Sequence, residues 1–202
     1  GPDDVLIRVT VANRGPEAAT IHLLPTLWFR NTWSWGRDSE GYWPKPKLSR
    51  DRDGIRAEHE TLGAYHLAVG LGPYGREPAL LFTENETNVQ RLFGSPNATP
   101  FVKDAFHEYI VAGRSGAVNP ARTGTKAAAY YRVEIPAGEQ VSVRFRLHAA
   151  GAGAEAPRDP LGREFDAIFA ARIREADEFY ATHIPGAATD EERRVARQGY
   201  AG

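Results

Sequence analysis

From Val5 to Ala12 the chain alternates strictly. Val5, Ile7, Val9 and Val11 stand on one parity and Leu6, Arg8, Thr10 and Ala12 on the other. A period of two places every second side chain on one face of an extended segment, so this stretch predicts a half-buried strand. The turn-forming run NRGPEA follows, and Ala19 to Phe29 predicts the returning strand. Pro25 interrupts that strand. It has no N–H to give to a ladder, so it marks an edge position or a bulge. Further strands are predicted at Gly54 to Glu58, Leu62 to Gly70, Ala79 to Thr83, Ala127 to Ile135 and Gln140 to His148, the last two joined as a hairpin through PAGEQ.

Helical patterns are few. In TPFVKDAFHEYIVAG, Thr99 can cap and Pro100 suits the first helical position. Val102, Ala105, Phe106, Tyr109 and Ile110 then form an apolar stripe. A second helix is predicted from about Pro160 to Ala181, with Phe165, Ile168, Phe169, Ile173, Ala176 and Phe179 on one face. Thr189 and Glu192 have the spacing of a capping box that opens a third. Many strands, turn signals and little helix predict a mainly β chain, an antiparallel sandwich over residues 1–150 with one inserted helix. AAGAGAEAPRDP reads as a linker into the helices of residues 151–202. The abrupt start and the helix at the far end suggest cuts through a longer protein.

Composition excludes several roles. Lys plus Arg number 25 against 26 Asp plus Glu, so no excess of basic charge argues for nucleic acid or an anionic membrane. There is no cysteine, which rules out disulfides and thiolate chemistry and favours a reducing, cytoplasmic compartment. No apolar run approaches the ~20 residues of a membrane helix. The six histidines are dispersed, Asp51 and Asp53 lack the distal Glu of a calcium loop, and RTGTKAAA lacks the spacing of a phosphate loop. No metal or other cofactor is expected.

Two groups could carry chemistry. Glu84 and Glu86, with Asn85 between them, are a carboxylate pair of the type that acid and base hydrolysis of a glycosidic bond requires. The alternative is a polar turn after a strand. Trp33, Trp35, Arg30 and Asn31 in LWFRNTWSWG combine aromatic faces, on which the C–H groups of a sugar pack, with side chains that bind hydroxyls. The same aromatics could equally be buried in a core or against a neighbouring domain.

The segments DDVLIRVTVANRGPEAATIHLLPTLWFRNTWSWG, LLFTENETNVQRLFG, FVKDAFHEYIV, AVNPARTGTKAAAYYRVEIPAG, EADEFYATHIP and DEERRVARQGYAG together resemble the N-terminal β-domain of bacterial glucosidases related to glycoside hydrolase family 63. In that family a β-sandwich precedes an (α/α)6 barrel that holds the general acid and base for inverting hydrolysis of α-glucosides. The resemblance implies a non-catalytic domain whose partner is the barrel of the same polypeptide and whose loops shape the substrate cleft. No position of this chain matches the family's catalytic carboxylates. Two alternatives stay open: a carbohydrate-binding module that takes an oligosaccharide by itself, and a small hydrolase using Glu84 or Glu86.

Overall fold

The computed structural model describes residues 3–151, 153 and 156–201. The chain divides into two compact units, residues 1–158 and 159–202. Among the described residues the first unit carries ten strands: β1 Asp4–Ala12, β2 Ala19–Leu23, β3 Thr26–Trp28, β4 Lys47–Asp51, β5 Gly54–His59, β6 Gly63–Val69, β7 Ala79–Thr83, β8 Thr123–Gly124, β9 Lys126–Ile135 and β10 Gln140–Ala149. Two short helices interrupt them, α1 Val89–Phe93 and α2 Ala105–Ile110, where the sequence predicts only one. The second unit holds α3 Arg163–His183 and α4 Asp190–Ala201.

The unit is an antiparallel β-sandwich. One sheet has the order β1-β10-β6-β5-β4-β8, and the other is built around β9. Alternation sends Leu48, Ile55, Ala57, Leu67, Val143 and Phe145 of the first sheet and Phe82, Ala127, Ala129, Tyr131, Val133 and Ile135 of the second into one shared core. At ~25 cal/mol per Å² of apolar surface, this layer is the main favourable contribution to folding. The outer face of the second sheet is covered in part by α2, where Phe106 packs with Leu81 and Ala128.

Two expected pairings are corrected. Residues 19–29 do not return along β1. They run beside β9 in a single register through β2, Pro25 and β3, while β1 pairs with β10. Pro25 accepts from the Ala129 N–H at 3.0 Å and has no N–H to return, which is why the strand is interrupted there. Nor do β9 and β10 form a hairpin: residues 136–139 pass from one sheet to the other. Asn13 fastens this corner to the first one. Its N–H donates to Glu139 O (2.9 Å), its carbonyl accepts from Gly138 N (3.0 Å), and its side-chain amide donates to Ile135 O (2.9 Å) and Glu17 O (2.7 Å). Gly138 sits at φ 73°, a left-handed conformation that costs glycine nothing.

The helix expected from Thr99 starts only at Ala105. Val102 is buried nonetheless, from the turn that leads into the helix: its carbonyl accepts from Ala105 N at 2.8 Å and from the Thr83 hydroxyl at 2.9 Å. In the second unit the apolar face of α3 is shallow: Phe165 is buried and stacks on Phe169, whereas Ile173 and Phe179 are exposed. The capping box forms as its spacing predicts. The Glu192 carboxylate accepts from Thr189 N at 2.7 Å and from its hydroxyl at 2.8 Å, and Thr189 Oγ1 accepts from Glu192 N at 3.3 Å. No helix among the described residues is long and apolar enough to cross a membrane.

Candidate functional site

The sandwich is closed along the side where β8 leaves the first sheet and passes β7. Thr125 N donates to Thr83 O there (3.1 Å), and the chain continues directly into β9. The end of β7 therefore becomes a fixed point. Glu84 N donates to Phe101 O (3.2 Å), Asn85 N to the hydroxyl of fully buried Thr125 (2.8 Å), and Lys103 N to Glu86 O (3.0 Å). Asn85 Nδ2 reaches the last residue of the neighbouring extended segment, Phe29 O, at 2.9 Å.

This backbone clamp aims Glu84 and Glu86 at the same cation. Lys45 Nζ, supplied by a Pro-Lys-Pro segment, lies 3.2 Å from Glu84 Oε2 and 2.9 Å from Glu86 Oε1. Glu84 Oε2 also accepts from the Thr125 hydroxyl at 2.7 Å, and Glu86 Oε1 accepts from the Trp33 indole N–H at 2.9 Å. Both carboxylate side chains are largely shielded, at 16% and 17% exposure, while Lys45 is open to solvent at 43%. Burial pushes the Glu86 carboxyl up, but the hydrogen bonds from Trp33 and Lys45 outweigh it and hold the group below the usual carboxylate range. Lys45 is raised for the reciprocal reason, burial being outweighed by Glu86 and Glu84.

The seven residues singled out in the sequence thus fall into two groups. Trp33, Glu84, Asn85 and Glu86 converge. Arg30, Asn31 and Trp35 do not join them. Asn31 Oδ1 accepts from Ser34 N (3.3 Å) and the Ser34 hydroxyl (2.8 Å), which fastens the 3-10 turn Trp33–Trp35. Trp35 is half-exposed, packs at 5.9 Å against Tyr42, and lies 5.8 Å beneath the Arg30 guanidinium. Gly36, at φ 66°, ends the turn. Sequence reasoning missed Lys45, Thr125 and Tyr42. Nothing local marks them, because a lone lysine between prolines gains meaning only from carboxylates some 40 residues away.

What the cluster can do chemically is limited by its own pairing. A general acid needs a carboxyl held protonated near neutral pH, and Glu86 is displaced in the opposite sense. A separate apolar hollow of about 250 Å³ is lined by Trp28, Phe29, His59, Leu62, Tyr65 and Leu147. Among the described residues no three His, Asp or Glu side chains converge as a metal would need.

The fold and the site together define a mainly β two-sheet domain with a charged, internally paired cluster at its closed side, followed in the chain by a helical unit. Compared with known proteins, the whole chain aligns with the uncharacterized protein YMR196W of Saccharomyces cerevisiae at 34% identity over 233 positions. The alignment takes in 100% of this chain and 21% of the yeast protein, so the chain spans about a fifth of the length of the curated relative it matches. No family model and no solved structure matches it.

Proposed function

We propose that this chain is a non-catalytic accessory domain of a glycoside hydrolase acting on α-glucosides, one that packs on an (α/α)6 catalytic barrel and contributes loops to its substrate cleft. The observation that carries the non-catalytic part is the Lys45 clamp: Glu84 and Glu86, the carboxylate pair singled out as candidate acid and base, are bound to a common cation. The glucosidase part rests on the resemblance of the long segments quoted above. The order of a β-sandwich followed by helices, and a relative several times longer than this chain, support it. A cytoplasmic setting, argued from the lack of cysteine, belongs to the same proposal.

The test uses the yeast relative at full length. It should release glucose from at least one of a panel of α-linked gluco-oligosaccharides, and lose most of that activity when the segment matched here is deleted. This 202-residue chain by itself should release none. No release from any substrate by the full-length relative overturns the proposal.

A second reading, a domain that binds glycans unaided, is favoured by the half-exposed Trp35 beside Tyr42. Saturable shifts of the Trp35 indole N–H signal on titration with the same oligosaccharides would support it.

A further inference from the structure

The loop between β6 and β7 is held tightly at its root and strained at its tip. The Tyr131 hydroxyl donates to Gly70 O at 2.7 Å, and Gly72 N donates to Arg76 O at 2.7 Å. Gly72 lies so close to β9 that a Cβ there would meet the Tyr131 ring at 3.0 Å. At the tip, Tyr74 takes φ 61° and ψ 24° and is 85% exposed. In this left-handed conformation the Cβ of an L-residue crowds the following carbonyl oxygen, and a bulky residue there is an outlier. Glycine would make the same turn without strain. What tyrosine adds is a ring, presented to solvent by a loop that does not bury it.

That ring borders a cavity of about 400 Å³, within the ~300–1,000 Å³ of small-molecule sites. A second part of the lining is the outward face of β9. Alternation buries Tyr131, Val133 and Ile135 and sets Tyr130, Arg132 and Glu134 on the other side. Tyr130 is fixed in place: its hydroxyl shares a 2.7 Å hydrogen bond with His22 Nδ1, and its ring meets Tyr109 edge-on at 6.1 Å. Arg76 and Glu77 complete the polar lining. Two guanidinium groups and two carboxylates therefore border one cavity, yet among the described residues none of the four makes a side-chain hydrogen bond or an ion pair. The contrast is with Glu84 and Glu86, both taken up by Lys45. This cavity shares no residue with that cluster or with the apolar hollow at Trp28.

We propose that the cavity is a subsite for one neutral pyranose unit of a glycan, with Tyr74 as its stacking platform and Arg76, Glu77, Arg132 and Glu134 as partners for the hydroxyls. Charge narrows the class of ligand. Two cations and two anions cancel, so the lining favours neither a phosphate nor a metal ion. A pyranose has an apolar C–H face that packs on the negative face of an aromatic ring. Its vicinal hydroxyls both donate and accept, which suits a guanidinium fork and a two-oxygen carboxylate equally. The proposal shares with the second reading above that the domain binds glycans unaided, and it places the sugar at Tyr74 instead of Trp35. It requires no glucosidase activity.

NMR titration of the 202-residue chain with maltotriose and, separately, cellotriose tests it. The expected result is saturable shifts of the Tyr74 and Tyr130 ring signals with at least one of the two sugars, in the low millimolar range. Tyr74→Phe keeps the platform and should bind within about twofold of the parent chain. Tyr74→Gly removes the ring and suits the left-handed backbone, so binding should weaken by about tenfold or more while the urea midpoint does not fall. No saturable shift with either sugar, shifts of the Trp35 indole signal alone, or undiminished affinity in folded Tyr74→Gly overturns the proposal. Failure of the glucosidase reading is a separate result, seen as the absence of glucose release by the full-length relative.

Discussion

The Trp33 indole N–H donates to Glu86 Oε1 at 2.9 Å across 53 residues of sequence, tying the aromatic turn to the end of β7. One of the two aromatics expected to stack on a sugar is thereby engaged in holding a carboxylate. Trp33→Phe keeps the ring and removes the donor. A hydrogen bond to a charged acceptor contributes about 1.5 to 3 kcal/mol, and Lys45 remains to Glu86, so a loss near the lower figure is expected in urea denaturation. The Glu86 carboxyl, now held below its ordinary 4.5, should titrate at higher pH in the variant. An unchanged Glu86 titration by NMR would show that the contact has no electrostatic role.

Lys45 serves two carboxylates, so Lys45→Met leaves Glu84 and Glu86 facing one another without a cation. Removing one partner of a fully buried pair costs about 3 to 5 kcal/mol. At 43% exposure solvent screens much of this, and about 1 to 2 kcal/mol is expected. The pH dependence has two limbs. Lys45 is raised above 10.5, so its contribution is complete below 10.5 and is lost as pH rises through the raised value. Glu86 is lowered, so its contribution is present above 4.5 and is lost as pH falls through the depressed value. Lys45→Met should flatten both limbs of the stability profile. A variant with wild-type stability at both extremes would sink the clamp as a structural element.

Much of this was legible in the sequence, and the reasons for the misses are physical. Alternation in β1 and at the end of β9, where exposed Arg132 and Glu134 separate buried Tyr131, Val133 and Ile135, marks strands because period two is a local property of a pleated chain. Strand partners were another matter. PAGEQ is composed of turn formers whether the chain folds back within a sheet or crosses to the facing one, so its composition predicts a hairpin at Gly138 and does not reveal the crossing. Thr99 and Pro100 are good helix starters, but Val102 reaches its buried place ahead of the helix, from a turn whose first carbonyl is held by the Thr83 hydroxyl. The grouping of Trp33 with Glu84, Asn85 and Glu86, and the separation of Trp35 from them, depend on a cation and a hydroxyl distant in the chain.

Asp4 binds Arg146 through both carboxylate oxygens, each at 2.8 Å, and the Arg146 side chain is only 7% exposed. The hydrogen bond from Arg146 holds the Asp4 carboxyl below its ordinary 3.8. A lowered carboxyl contributes stability above 3.8 that disappears as pH falls through the depressed folded value. Asp4→Asn keeps the shape but offers one acceptor where two charged ones stood. A loss of about 2 to 3 kcal/mol near neutral pH is expected, shrinking towards zero in strong acid where the wild-type group is protonated. Urea midpoints measured from neutral to strongly acidic pH check this, and a gap that stays constant over that range would contradict it.

Gly124 lies where β8 crosses β7 and leads into the buried hydroxyl that orients Glu84. A Cβ built there would stand 2.2 Å from Thr83 O and 2.8 Å from Thr83 C, both backbone atoms. No rotamer change relieves a clash with backbone, so Gly124→Ala must push the two strands apart. That movement strains the Thr125 N to Thr83 O bond and displaces the Thr125 hydroxyl from Asn85 N and Glu84 Oε2. Overpacking of a tight interior costs about 1 to 3 kcal/mol where side chains can yield. At this crossing the upper figure or more is expected, together with a change in the Trp33 indole N–H shift as the Glu84 to Glu86 segment moves. Gly116→Ala is the control, because a Cβ there meets nothing within 4 Å. Equal stability of the two variants would show that the crossing is not the tight point that holds the cluster in place.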